Sequence, residues 1–207
     1  MSSNDDSPAE SEPAAPGALA GALRGAQARA ADDFERLYAG VVPALVAWTR
    51  LRLSGLPRGR IEVEDVVQET WVRALENFER LTDPAGFRHW VIGIAQNVLL
   101  EALRRGARGR NQRDRADQGT PLSQCPDSVT SISRAAARDD GLARLLALIL
   151  ELPAEDRQLV LLHGLEERPL AGIAESLEIS AAAAEKRWQR LRARLREQPA
   201  FAALMLV

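Results

Sequence analysis

Cysteine is nearly absent from this chain of 207 residues, with Cys125 alone in a polar stretch. One thiol excludes an internal disulfide and fits a reducing cytosol. Histidine is almost as scarce: His89 and His163 lie far apart in sequence. The chain therefore does not supply the ligand groups that zinc would need. No nucleophile stands at a supporting distance from a base, and no glycine-rich phosphate loop is present. The expectation is a protein without catalytic residues, metal or cofactor. No apolar run approaches the roughly 18 residues of a membrane span. Met1–Gly17 is acidic and rich in Ser, Pro and Ala, neither a signal peptide nor an anchor. These features lead us to expect a soluble cytoplasmic protein with no membrane insertion.

Aromatic residues make up 4 % of the chain against 46 % hydrophobic, so leucine, valine and alanine must fill most of the core. Lysine is missing except for Lys186; the rest of the 27 basic residues are arginine. They gather in Arg104–Arg115 and Lys186–Arg196, while acids concentrate in the N-terminal tail and in Glu62–Glu69. A net charge of −2 does not by itself suggest a nucleic-acid binder. Opposite charges in separate blocks do suggest separate surfaces for separate partners.

Hydrophobic spacing predicts an all-α protein: two small helical domains joined by a flexible linker, the second a helix-turn-helix. Residues 1–31 lack periodic apolar positions and read as a disordered acidic tail. Residues 32–105 form the first domain. Within it Phe34, Leu37, Tyr38, Val41 and Val42 keep helical spacing, with a kink expected at Pro43. Val63, Val66, Val67, Thr70, Trp71, Ala74, Leu75 and Phe78 trace a second apolar stripe. After the start signal Thr82-Asp83-Pro84, a third stripe follows at Phe87, Trp90, Val91, Ile94, Val98 and Ala102, ending at Gly106. Residues 106–138 are polar and aperiodic, a linker, and residues 198–207 are an apolar tail.

Residues 139–197 carry the helix-turn-helix signature. Asp139 or Asp140 caps an apolar helix bearing Leu142, Leu145, Leu146 and Ile149. Pro153 opens the next helix, with Glu155 and Asp156 in its first turn, where the helix dipole favours negative charge. Ile173–Leu177 makes a short helix, Glu178-Ile179-Ser180 turns the chain, and Ser180 caps a helix carrying Lys186, Arg187, Arg190, Arg192, Arg194 and Arg196. A short helix, a tight turn and a capped cationic helix is the geometry that sets side chains into a DNA major groove.

Two segments in fixed order carry a family resemblance. One is Val63-Glu64-Asp65-Val66-Val67-Gln68-Glu69-Thr70-Trp71-Val72-Arg73-Ala74, with Phe87–Asn97 and Leu103-Arg104-Arg105 behind it. The other runs from Leu152-Pro153 through Ile173-Ala174 and Ile179-Ser180 to Arg187, Arg190 and Arg192. Together they resemble the extracytoplasmic-function (group IV) sigma factors of the sigma-70 family, promoter-specificity subunits of bacterial RNA polymerase. The resemblance implies an alternative sigma factor, monomeric when free, with core polymerase, promoter DNA and an anti-sigma protein as partners. It assigns polymerase docking to Glu64, Asp65, Gln68, Glu69 and Arg73, and the −10 element to Gln96, Asn97, Glu101, Arg104 and Arg105. It assigns the −35 element to Ser180, Ala183, Lys186, Arg187, Arg190 and Arg192.

The chemistry suits those roles. Carboxylates and amides on one helix face suit an arginine-rich partner helix. Asn reads base edges and arginines hold phosphates. Phe87 and Trp90 continue an apolar stripe and read as core.

Departures from the family pattern fall in the second domain. Ala181–Ala184 replace small and hydroxyl residues, Glu185 stands where a cation is common, and Glu178 occupies a turn position usually held by Gly. Gly172 stands where an acidic residue usually precedes Ile173-Ala174. Alanines offer a thymine methyl apolar contact, and Glu185 repels phosphate unless it accepts from a cytosine amine. Two other readings stay open on the residues: a dimeric operator-binding regulator joined through Phe201–Val207, and a polymerase-docking protein without upstream DNA recognition.

Overall fold

The computed structural model describes residues 16–56, 61–78, 81, 86–108 and 133–205. The chain divides into two compact units, residues 1–34 and 35–207. Every element named here is helical: α1 (Pro16–Leu53), α2 (Val63–Glu76), α3 (Phe87–Arg108), α4 (Asp140–Leu150), α5 (Ala154–Gln158), α6 (Leu170–Ser176), α7 (Ala181–Leu195) and α8 (Phe201–Met205). A π-helical segment, Leu159–Leu165, follows α5 directly.

Helix α1 begins at Pro16, inside the stretch expected to be aperiodic tail. The reason is composition: residues 18–31 are rich in Ala, with Leu and Arg among them, strong helix formers that need no apolar period. The helix runs through Pro43. In the larger unit Val42, Leu45, Ala47 and Trp48 are fully buried. The buried hydroxyl of Thr49 is satisfied by the Leu45 carbonyl at 2.8 Å, and that of Thr70 by the Val66 carbonyl at 2.7 Å.

Helix α2 packs on α3 through Val66, Val67, Thr70, Trp71 and Ala74, as the stripe predicts; Leu75 comes out exposed. On α3 the buried face is broader than expected. Phe87, Val91 and Val98 are buried, and so are Arg88, Ile92, Ala95 and Leu99, while Trp90, Ile94 and Ala102 are half-buried. The helix is covered on two sides rather than one, so a single stripe understates its core. It also runs past Gly106 to Arg108. The start signal Thr82-Asp83-Pro84 and residues 109–132 of the expected linker lie outside the described residues, while residues 133–137 of it are helical.

Caps place the second half. Asp139 Oδ1 accepts from the Leu142 N–H at 2.6 Å and starts α4. Leu142, Leu145, Leu146 and Ile149 are buried along it, each burial stabilising by about 1.5–3 kcal/mol. Pro153 is the N-cap of α5 rather than its first residue. The π-helical segment packs on α5, α6 and α8. It closes with Glu166 N–H to the Leu161 carbonyl at 3.0 Å and Arg168 N–H to the Leu162 carbonyl at 2.8 Å. Glu167 makes this turn possible at φ 57°, a left-handed conformation costly for a residue with a side chain. Helix α8 gives the apolar tail its place: Phe201, Leu204 and Met205 are buried.

Candidate nucleic-acid interface

Ser180 does what its position predicts. Its Oγ accepts from the Ala183 N–H at 3.2 Å, starting α7. Ahead of it Glu178 adopts φ 55°, so the turn between α6 and α7 is made by a strained carboxylate residue where glycine would sit without strain. Ala184, Trp188, Leu191 and Leu195 form the buried face of α7. The opposite face exposes Ala181, Ala182, Ala183, Glu185, Lys186, Gln189 and Arg190. Gln189 went unnoticed in the sequence although its spacing marks it: it lies four residues after Glu185 and donates to its carboxylate at 3.0 Å. Glutamine is a base-reading residue for adenine.

Arg187 points elsewhere. Its Nε donates to Asp156 Oδ1 at 2.5 Å and its Nη2 to Glu155 Oε2 at 3.3 Å, joining α7 to α5. These bonds, that to Asp156 foremost, hold its pKa above the ordinary arginine value against the opposing effect of burial. Arg190 is exposed, with its Nε on the Lys186 carbonyl, and Arg192 is half-buried.

On α3, Asn97, Glu101, Arg104 and Arg105 are all exposed, with Gln96 half-buried beside them. Leu100 and Leu103 are exposed on the same helix. Phe87 is buried, as expected for core, and His89 is exposed. Among the residues assigned to docking, Glu64 and Asp65 are exposed on α2, while Gln68, Glu69 and Arg73 are half-buried.

Arg73 links two of the expected surfaces. Its Nη1 and Nη2 donate to the Glu101 carboxylate at 3.0 and 2.7 Å, and its Nε donates to Glu69 Oε1 at 2.8 Å. A guanidinium fork matched to a carboxylate is a strong, directional pairing. It holds the Glu101 carboxyl below its ordinary value of 4.5, and Arg104 and Arg105 act in the same direction. So a residue expected to dock polymerase and a residue expected to read DNA are joined across α2 and α3.

Family models for sigma-70 region 2 and sigma-70 region 4 match residues 37–109 and 142–195, over these two groups of helices and in this order. The chain belongs to the extracytoplasmic-function sigma-70 family. An ECF RNA polymerase sigma factor of Mycobacterium tuberculosis, SigL, is 39 % identical over 107 residues, 50 % of this chain and 58 % of that protein. The RNA polymerase sigma factor CarQ of Myxococcus xanthus is 29 % identical over 169 residues, 81 % of this chain and 90 % of that protein. The match to SigL thus spans little more than half of that relative's length. No solved structure matches the chain. Region 2 of this sigma-70 chain holds α2 and α3, and region 4 holds the turn and helix that Glu178 and Ser180 shape. Among the described residues no helix is long and apolar enough to cross a membrane.

Proposed function

We propose that this chain is an alternative sigma factor, a cytoplasmic subunit that brings core RNA polymerase to promoter DNA and takes part in opening it without catalysing a step itself. The observation that carries this reading is the presence, in one chain, of two reading faces on rigid helices. One is Asn97, Arg104 and Arg105 on α3; the other is the exposed side of α7 behind its Ser180 cap. Asn97 meets base edges of the −10 element while Arg104 and Arg105 hold phosphates. The exposed carboxylates of Glu64 and Asp65 on α2 meet basic residues of core polymerase.

At the −35 element, Lys186 and Arg190 supply phosphate contacts, and Glu185 and Gln189 meet base edges. Ala181–Ala183 give methyl contacts alone, so phosphates carry much of this affinity. Arg187 serves by fixing α7 against α5. An anti-sigma protein that covers these faces in the resting cell completes the reading.

The test is open-complex formation by core polymerase on a promoter library, with and without the protein. Enrichment of both elements supports the reading. Opening that does not depend on the protein, together with its binding to a palindromic site, overturns it in favour of a dimeric regulator.

A further inference from the structure

The exposed side of α7 is built of two ridges. One is Ala181, Glu185, Gln189 and Ala193, all exposed. The other is cationic, with Lys186, Arg190 and Arg194 exposed along it. Residues four apart stand one above the other on a helix, so each series is continuous. The first ridge holds no cation. Its two long side chains project between alanines, whose methyl groups let the helix lie close to whatever it meets.

Glu185 and Gln189 are also joined. Gln189 Nε2 donates to Glu185 Oε1 at 3.0 Å. An ionised carboxylate can only accept, so the amide has to turn its nitrogen, not its oxygen, toward Glu185. The Gln189 oxygen and its second N–H are left for a partner. Those are the acceptor and the donor with which a glutamine makes a bidentate contact to N6 and N7 of adenine. Glu185 keeps Oε2 as a further acceptor.

We infer that Glu185 and Gln189 act as one reader of two neighbouring base pairs in the −35 element. Glu185 takes a cytosine and, by fixing the amide, makes Gln189 a reader of adenine. The inference rests on the sigma-factor reading above and names the bases which that reading leaves open. The joined head groups are 3.0 Å apart, and stacked bases follow one another at about 3.4 Å, so the pair spans one base step. In the major groove cytosine presents an amine alone, whereas adenine sets N7 beside its amine, and guanine and thymine present acceptors that a carboxylate repels. Cytosine is therefore the base that suits Glu185. Arg187 does not neutralise this carboxylate, since its guanidinium is held by Asp156 and Glu155 on α5. The cationic ridge alongside holds phosphates and offsets their repulsion of Glu185. Glu185 thus has two roles: it reads one base, and it is a positioning residue for the reader of the next.

The test selects duplexes randomised across the −35 element, using the full chain with core polymerase and the full chain alone. Wild type, Gln189→Ala, Glu185→Ala and Glu185→Gln are compared by sequencing. Wild type should favour cytosine and adenine on neighbouring base pairs, each by roughly tenfold. Gln189→Ala should lose the adenine preference and keep the cytosine. Glu185→Ala should lose both, because nothing then orients the amide. Glu185→Gln should lose the cytosine preference alone, since a glutamine oxygen still accepts from Gln189; this rescue of adenine reading is what a merely structural role would not give. Both residues are exposed, so the variants should melt as wild type does. A Glu185→Ala protein that relaxes one position only, preferences that fall on separated base pairs, or variants that select wild-type sequences would each overturn the joint reader. Absence of polymerase-dependent opening by wild type would overturn the sigma-factor reading instead, with selection by the chain alone still deciding the pair. A chain that selects no sequence in either form overturns both.

Discussion

Arg187→Ala separates positioning from reading on α7. In the structure the Arg187 side chain is 30 % exposed and is spent on Asp156 and Glu155, 20 % and 51 % exposed. A pair this open to solvent is partly screened, so its loss should cost about 0.5–1 kcal/mol rather than the several of a buried pair. For a chain of this size that is a fall in melting temperature of about 1–4 °C. Because the partner is known, a double-mutant cycle with Asp156→Ala should recover most of the loss as coupling, about 0.5–1 kcal/mol. Arg190→Ala should behave in the opposite way. Its melting temperature stays put, and affinity for −35 duplexes falls for all sequences alike. Its log–log salt dependence becomes shallower by about 0.9, the signature of one lost phosphate contact. Calorimetry and DNA titration at several salt concentrations read both. An Arg187→Ala protein with unchanged melting, no coupling to Asp156, and a base preference altered at one position would refute this assignment.

Glu178→Gly should raise stability by about 0.5–1 kcal/mol in a denaturant melt, since relief of left-handed strain of about 1–2 kcal/mol outweighs the added freedom of the unfolded chain. Gly172 lies in α6 with nothing within 4 Å of an added Cβ, so Gly172→Ala should gain up to about 1 kcal/mol in the same assay. Glu101 is held below its ordinary 4.5 by Arg73, a depressed carboxylate, so its stabilising effect is present above that value and lost as pH falls through the lower folded value. Acid titration of Arg73→Met should show a shallower loss of stability below pH 4.5 than wild type. Glu185→Gln should relax the preference for cytosine at one −35 position and raise affinity for other bases there, read by library sequencing.

Local rules made the caps legible: Ser180 and Asp139 are short side chains that reach an N–H three residues on, and sequence spacing alone fixes that. The α2 stripe was legible because one side of that helix faces solvent. The α3 core was half legible, since Ile92, Ala95 and Leu99 are buried on a side that periodicity assigns to water. The start of α1 was missed because alanine forms helix without marking a face. Of the residues assigned to reading DNA, Asn97, Arg104, Arg105, Lys186 and Arg190 are exposed as required, whereas Glu101 and Arg187 are engaged by other side chains. Trp48 and Glu166 meet across 118 residues, and pairing at that separation leaves no local trace in either segment.

The π-helical segment sets a phase. An α-helix over the same residues would turn each following side chain by about 100° per residue, and the wider π turns absorb one residue more before Glu166. Wind Leu159–Leu165 as an ordinary α-helix with no residue removed, and that extra residue is no longer absorbed. Glu166 would then lie about a quarter-turn away from Trp48, and the Gly164 carbonyl would no longer face Arg88. The angular fit between the two halves of the chain is thus written as a count of residues, not as any one side chain. An inserted residue there would uncouple them while leaving every contact residue in the sequence.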